Sequence, residues 1–107
     1  VGHLMVFTTL DSADAAEDLA RSLVADGLAA CVQVVGPVRS VYRWRGEVCV
    51  DQEWQLVIKT AEERMEELSK HVRAHHSYEV PELVAVPITG GSQDYLDWVT
   101  EQVSPRG

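Results

Sequence analysis

Residues 28–60 read LAACVQVVGPVRSVYRWRGEVCVDQEWQLVIKT, and the spacing within them decides the architecture. From Val38 onward the even positions Val38, Ser40, Tyr42 and Trp44, then Val48, Val50, Trp54, Leu56 and Ile58, are mostly apolar, whereas the odd ones include Arg39, Arg43, Arg45, Asp51, Glu53 and Lys59. Alternation on both sides of Gly46 predicts a long antiparallel hairpin that turns there. A two-residue turn pairs even with odd positions and throws the apolar stripes onto opposite faces, so an odd-length loop or a bulge is expected. One face of the expected hairpin is oily. The other is basic on one strand and acidic on its partner, with Arg39, Arg43 and Arg45 set to pair with Asp51 and Glu53.

The hairpin is too long for its domain. At ~3.3 Å per residue a strand from Ala29 to Trp44 reaches roughly 50 Å, while a compact chain of this size is about 35 Å across, with a radius of gyration near ~13 Å. The strand must bend, for which Gly36-Pro37 is suited, or overhang. Tyr42 and Trp44 lie beyond that point, and leaving them in water makes an apolar patch of the kind that marks an interface. Tyr42, Trp44 and Trp54 are therefore candidate interface residues, and an obligate oligomer is expected.

The 107 residues, 46% of them hydrophobic, suffice for one core and one domain, 1–107. Seventeen acidic against nine basic side chains leave a net charge of -8. Such a field repels phosphate backbones and attracts cations, so nucleic acid is not an expected partner. The chain has no run of eighteen apolar residues and no charged-then-apolar leader, which predicts a cytoplasmic protein without a membrane partner. Val1–Met5 lack an initiator methionine, which leaves open whether they are a native start. Cys31 and Cys49 are the only cysteines, each inside a strand pattern, and are expected to be buried free thiols.

Outside the hairpin, His3–Thr9 reads as a central strand. Ser12 or Asp14 caps a helix carrying Ala16, Leu19, Ala20, Leu23 and Val24 at helical spacing and stopping at Gly27. Thr60 with Glu63 forms a further capping box, and Met65, Leu68, Val72 and His75 define a second helix ending near His76. Glu82–Ile88 suits a strand buried on both faces. Ser92 caps a last helix whose Tyr95, Trp98, Val99 and Val103 share one side. The order is β-α-β-β-α-β-α, an α+β chain whose first six elements form the ferredoxin-like split βαβ motif with both helices on one face of the sheet. The opposite face is left for subunit packing, with partial cover from the last helix.

The richest chemistry lies in His71–Glu82, HVRAHHSYEVPE. His71 and His75, four apart on a helix, are either one side of a two-point metal site or partly exposed helix residues with no third ligand in register. His76 follows at the helix end with Tyr78, Glu79 and Glu82 close behind, and Pro81 makes 78–82 a rigid lead-in to the last strand. Imidazole with carboxylate suits Cu(II) or Zn(II). The sequence holds no dinucleotide fingerprint, phosphate loop, H-E-x-x-H or G-x-S-x-G, and no catalytic residues are expected.

Thr8-Thr9, Leu28-Ala29-Ala30-Cys31-Val32, Ser40-x-Tyr42-x-Trp44-x-Gly46, Glu53, Lys59-Thr60, His76-x-Tyr78-x-x-Pro81-Glu82 and Tyr95-x-x-Trp98 appear in the order found in the CutA divalent-cation tolerance proteins, which the chain resembles over nearly its whole length. The resemblance implies a ferredoxin-like subunit in a tight homotrimer with the overall plan of the PII signalling trimers. It implies tolerance to copper and other divalent metals, with anchoring of acetylcholinesterase in animal members, and no general catalytic activity. His76 and Glu82 match the positions to which copper binding has been assigned, with Tyr78 close by. A cysteine that some members carry after the first strand is Thr8 here, which removes a soft ligand for Cu(I). Cys31 falls in the Ala-Ala-Cys motif, where it is structural.

The expectation is thus a homotrimer holding Cu(II) or another divalent cation weakly near its clefts through His76, Glu82 and Tyr78, the ligands being completed between subunits. The alternative is a PII-like regulatory trimer that binds a small metabolite, with Arg39, Arg43 and Arg45 receiving an anion, or that acts on a partner protein.

Overall fold

The computed structural model describes residues 2–105; Val1, Arg106 and Gly107, the ends of the expected 1–107 domain, lie outside the described residues. Along the chain come β1 (His3–Leu10), α1 (Ala13–Ala25), β2 (Cys31–Trp44), β3 (Glu47–Ala61), a 3-10 turn (Glu62–Arg64), α2 (Met65–His75), β4 (Val84–Ile88) and α3 (Gln93–Val103). The strands form one antiparallel sheet in the order β2-β3-β1-β4, which is the ferredoxin-like arrangement.

Helix α1 starts where Ser12 Oγ accepts from the Ala15 N–H at 3.1 Å, so Ser12 is the cap and Asp14 joins the first turn. It ends in a Schellman pair, Gly27 N–H to Val24 O and Leu28 N–H to Leu23 O, with Gly27 at φ 69. Val6, Leu56 and Ile58 from the sheet pack with Leu19, Leu23, Leu68 and Val72 from α1 and α2. Val24, expected on this face, is exposed. The Thr60–Glu63 capping box does not form. Thr60 stays in β3 and its hydroxyl donates to Leu28 O at 2.7 Å, satisfying a buried carbonyl where the chain enters β2.

Helix α3 lies on the opposite face, where Val99 and Val103 pack on Ala30 and Ala61. Its Tyr95 and Trp98 remain half exposed. β4 is shorter than expected and is a sheet edge rather than a strand buried on both sides: Val84 and Val86, paired with Phe7 and Met5, are 50% and 38% exposed. Cys31 and Cys49 are free, as expected, but both are only partly buried.

The hairpin overhangs. β1 pairs β3 only between Trp54 and Ala61, so 38–44 and 47–53 form a two-stranded arm, and the molecule measures 45 × 27 × 21 Å. The turn is the two-residue kind, Arg45 and Gly46 at φ 50 and 82, as a right-twisted hairpin requires. The bulge sits between Val35 and Val38, where Gly36 and Pro37 oppose Trp54 alone. Below it Val34 pairs Leu56; above it Val38, Ser40, Tyr42 and Trp44 pair Glu53, Asp51, Cys49 and Glu47. The single oily face is therefore split. Arg39 and Arg43 oppose Gln52 and Val48, on the face away from Asp51 and Glu53, so the expected basic-acidic strand pairing does not exist.

Candidate functional site

At the base of the arm the connector from α2 to β4 crosses the sheet end. Helix α2 stops because His76 turns extended, at φ -99 and ψ 139. Its ring then bridges two segments. Nε2–H donates to Thr9 O at 2.7 Å and Nδ1 accepts from the Tyr78 N–H at 3.1 Å, which defines one neutral tautomer and leaves no free lone pair on the ring. Tyr78 packs against this ring at 4.6 Å between centroids and donates its hydroxyl to Glu53 Oε2 at 2.7 Å. Burial, then the Glu53 carboxylate, pushes the Tyr78 phenol well above its ordinary range, so it remains a donor at neutral pH.

The arm supplies the other wall. Tyr42 donates to Asp51, and this bond with the carboxylate raises its phenol to about 12. Arg45 bonds Glu79 at 3.2 Å and lies over the Trp44 ring at 5.6 Å. Tyr42, Trp44, Glu53, Tyr78, Glu79 and Glu82 line one cleft of about 650 Å³. Residues read separately as an interface pair, Tyr42 and Trp44, and as metal ligands, Tyr78 and Glu82, thus share one cavity. Among the described residues no basic side chain lines it.

Glu53 was missed as a member of this site. It is 7% exposed and has no Lys, Arg or His partner among the described residues. Its position in the sequence looked like a solvent-facing odd position of a strand. The extra residue at Gly36-Pro37 is the one signal that the faces exchange there. Trp54, an expected interface residue, is half buried against the α1–α2 core and closely abuts Gly36.

The His71–His75 pair does not converge on a point. The rings stack at 4.1 Å and 20°, His71 Nε2–H donates to Ser22 Oγ at 2.8 Å, and His75 Nδ1 donates to His71 O. Among the described residues no three His, Cys, Asp or Glu side chains gather to hold a metal ion. A cation meeting one chain therefore finds the free carboxylate of exposed Glu82, with Glu79 beside it on the cleft wall, but not a closed coordination shell.

Residues 4–102 match the family described as CutA1 divalent ion tolerance protein. The chain is 46% identical over 99 residues to "Protein CutA, chloroplastic" of Arabidopsis thaliana, covering 92% of this chain and 54% of that protein. It is 45% identical over 97 residues to "Divalent-cation tolerance protein CutA" of Thermus thermophilus, covering 91% and 94%. The chain thus spans about half the length of the plant relative and nearly all of the bacterial one. The crystal structure of CutA1 from Oryza sativa superposes with a TM-score of 0.95 at 40% identity, covering 99% of this chain and 97% of that one.

Proposed function

This chain belongs to the CutA1 divalent ion tolerance protein family, and from that premise we propose that it serves divalent-cation tolerance as a homotrimer that binds such cations weakly. The observation that carries the binding reading is the cleft that brings Glu53, Glu79 and Glu82 to one cavity in a chain of net charge -8. Glu82 is the ligand with free oxygens. His76 joins only by giving up Thr9 or Tyr78, which favours weak binding, and Tyr78 stays close by as a neutral donor. Cu(II) gains most among the first-row divalent ions if the imidazole does join. One chain offers too few donors, so neighbouring subunits complete the shell.

Trimer packing is supported by the uncovered sheet face and by the two-stranded arm, on which Tyr42 and Trp44 are each 42% exposed. No helix among the described residues is long and apolar enough to cross a membrane. Cytoplasmic placement is part of the proposal, and a relative named chloroplastic gives fractionation of the native host a purpose. An anion-sensing regulatory trimer has less support, because Arg39 and Arg43 are turned away from the cleft face and Arg45 is tied to Glu79.

Native mass spectrometry with and without Cu(II) and Zn(II) tests the reading. The expected species is a trimer taking up three ions, with uptake reduced in Glu82→Gln. A monomer, or a trimer that loads no ion, overturns it.

A further inference from the structure

We propose that cation uptake and subunit association are linked in this protein: the divalent cation binds the assembled trimer more tightly than the separated chains, because it offsets carboxylates that lose water when a neighbouring subunit covers the arm. The inference rests on the trimeric, cation-binding reading above and adds how the two halves of that reading control each other.

Residues directly opposite one another across two antiparallel strands point to the same face. In the arm, Val38 pairs Glu53, Ser40 pairs Asp51, Tyr42 pairs Cys49 and Trp44 pairs Glu47. The face that offers Tyr42 and Trp44 to a neighbour therefore carries Glu47, Asp51 and Glu53 as well. The connector brings Glu79 and Glu82 to the same cleft. Among the described residues, the cation bonded to these five carboxylates is the Arg45 guanidinium, 3.2 Å from Glu79. Arg39 and Arg43 oppose Gln52 and Val48 on the other face.

Aromatic anchors and acids so interleaved are not covered separately. In one chain Glu53 is already buried, at 7% exposure, with Tyr78 donating to it, while the other four carboxylates are exposed. A neighbour seated on Tyr42 and Trp44 withdraws water from this acidic face, so the cost of dehydrating like charges falls on the association step. The Tyr42 and Tyr78 hydroxyls hold Asp51 and Glu53 in place without neutralising them. A divalent cation held by Glu82 and the neighbouring subunit lowers the cost, and its differential affinity for the assembled state stabilises the trimer. The competing source of positive charge is the far face of a neighbouring arm, with Arg39 and Arg43.

Subunit exchange between natural-abundance and isotope-labelled trimers tests this in Zn(II) and in EDTA. It is followed by native mass spectrometry after incubation at constant ionic strength in urea below the unfolding transition. Exchange is expected to be about tenfold slower in Zn(II), a coupling of ordinary size. Glu82→Gln, at an exposed position, is expected to erase most of that difference. Glu53→Gln keeps an acceptor for Tyr78 and removes one charge, so it is expected to exchange severalfold more slowly than the parent in EDTA. The Glu82 variant carries the test alone if the Glu53 variant misfolds. A trimer that takes up Zn(II) with its exchange unaltered overturns the linkage and leaves the cation-binding reading intact. Exchange that ignores Zn(II) but quickens in Arg39→Gln or Arg43→Gln also overturns it, and assigns the counter-charge to a neighbour's arginine. A chain that forms no trimer or takes up no ion overturns both.

Discussion

His76 and Thr9 are 67 positions apart and are joined by a 2.7 Å hydrogen bond from the imidazole Nε2–H to the main-chain carbonyl. The bond pins the end of α2 to the C-terminal end of strand β1 and so sets where Tyr78 stands. Removing the ring in His76→Ala leaves a largely buried carbonyl unpaired, which costs about 1–3 kcal/mol. The urea midpoint, measured in EDTA, should fall accordingly. An unshifted midpoint would mean that the ring has no structural role without metal.

Thr8 is completely buried, and among the described residues its Oγ1 has no hydrogen-bond partner. Thr8→Val replaces an unsatisfied hydroxyl with a methyl of nearly the same shape. Stability should rise by about 1 kcal/mol, since the desolvation cost disappears and the packing is retained. A calorimetric melting temperature that drops instead would point to an unrecorded partner for the hydroxyl.

Gly36 sits in the bulge directly against Trp54: a Cβ built there lies 2.5 Å from Trp54 Cδ1. The indole is itself packed on the core and cannot swing away freely. Gly36→Ala is expected to cost about 1–3 kcal/mol through overpacking. Near-ultraviolet circular dichroism of the tryptophans should change with it, and a variant as stable as the parent with an unaltered spectrum refutes the contact.

His71 is held below the ordinary histidine value, first by burial between α1 and α2 and next by His75, while Asp26 opposes the shift. The unfolded chain therefore binds the His71 proton more readily than the folded one. Its contribution to stability is full above about pH 6.5 and is lost as pH falls through the lower folded-state value. Melting temperatures between about pH 7.5 and 5 should fall more in the parent than in His71→Asn. Parallel profiles would remove His71 from the account.

Much of the fold was legible because local chemistry and global pattern agree. Ser12 and Ser92 cap helices, Gly27 ends one, and the alternation around Gly46 makes a hairpin whose length forces an overhang. Thr60 misled because a threonine before an acidic turn resembles a cap, yet its hydroxyl finds a better partner in the Leu28 carbonyl, 32 positions away. Glu82–Ile88 misled because an apolar run looks alike in a strand at the middle of a sheet and in one at its edge.

For the candidate site, the amino-acid order was enough to single out Tyr42, Trp44, Tyr78 and Glu82, each as a separate signal of aromatic anchoring or ligand chemistry. That these four line one cleft with Glu53 was decided by the tertiary structure. One extra residue at Gly36-Pro37 exchanges the faces of β2 against β3 and turns Tyr42 and Trp44 toward the side of Glu53. The His76–Thr9 bond then brings the connector across to close the cavity. Alternation is a local property that the chain carries in its order of residues. Register and long-range closure depend on which segments meet, and that is settled only when the sheet and helices pack.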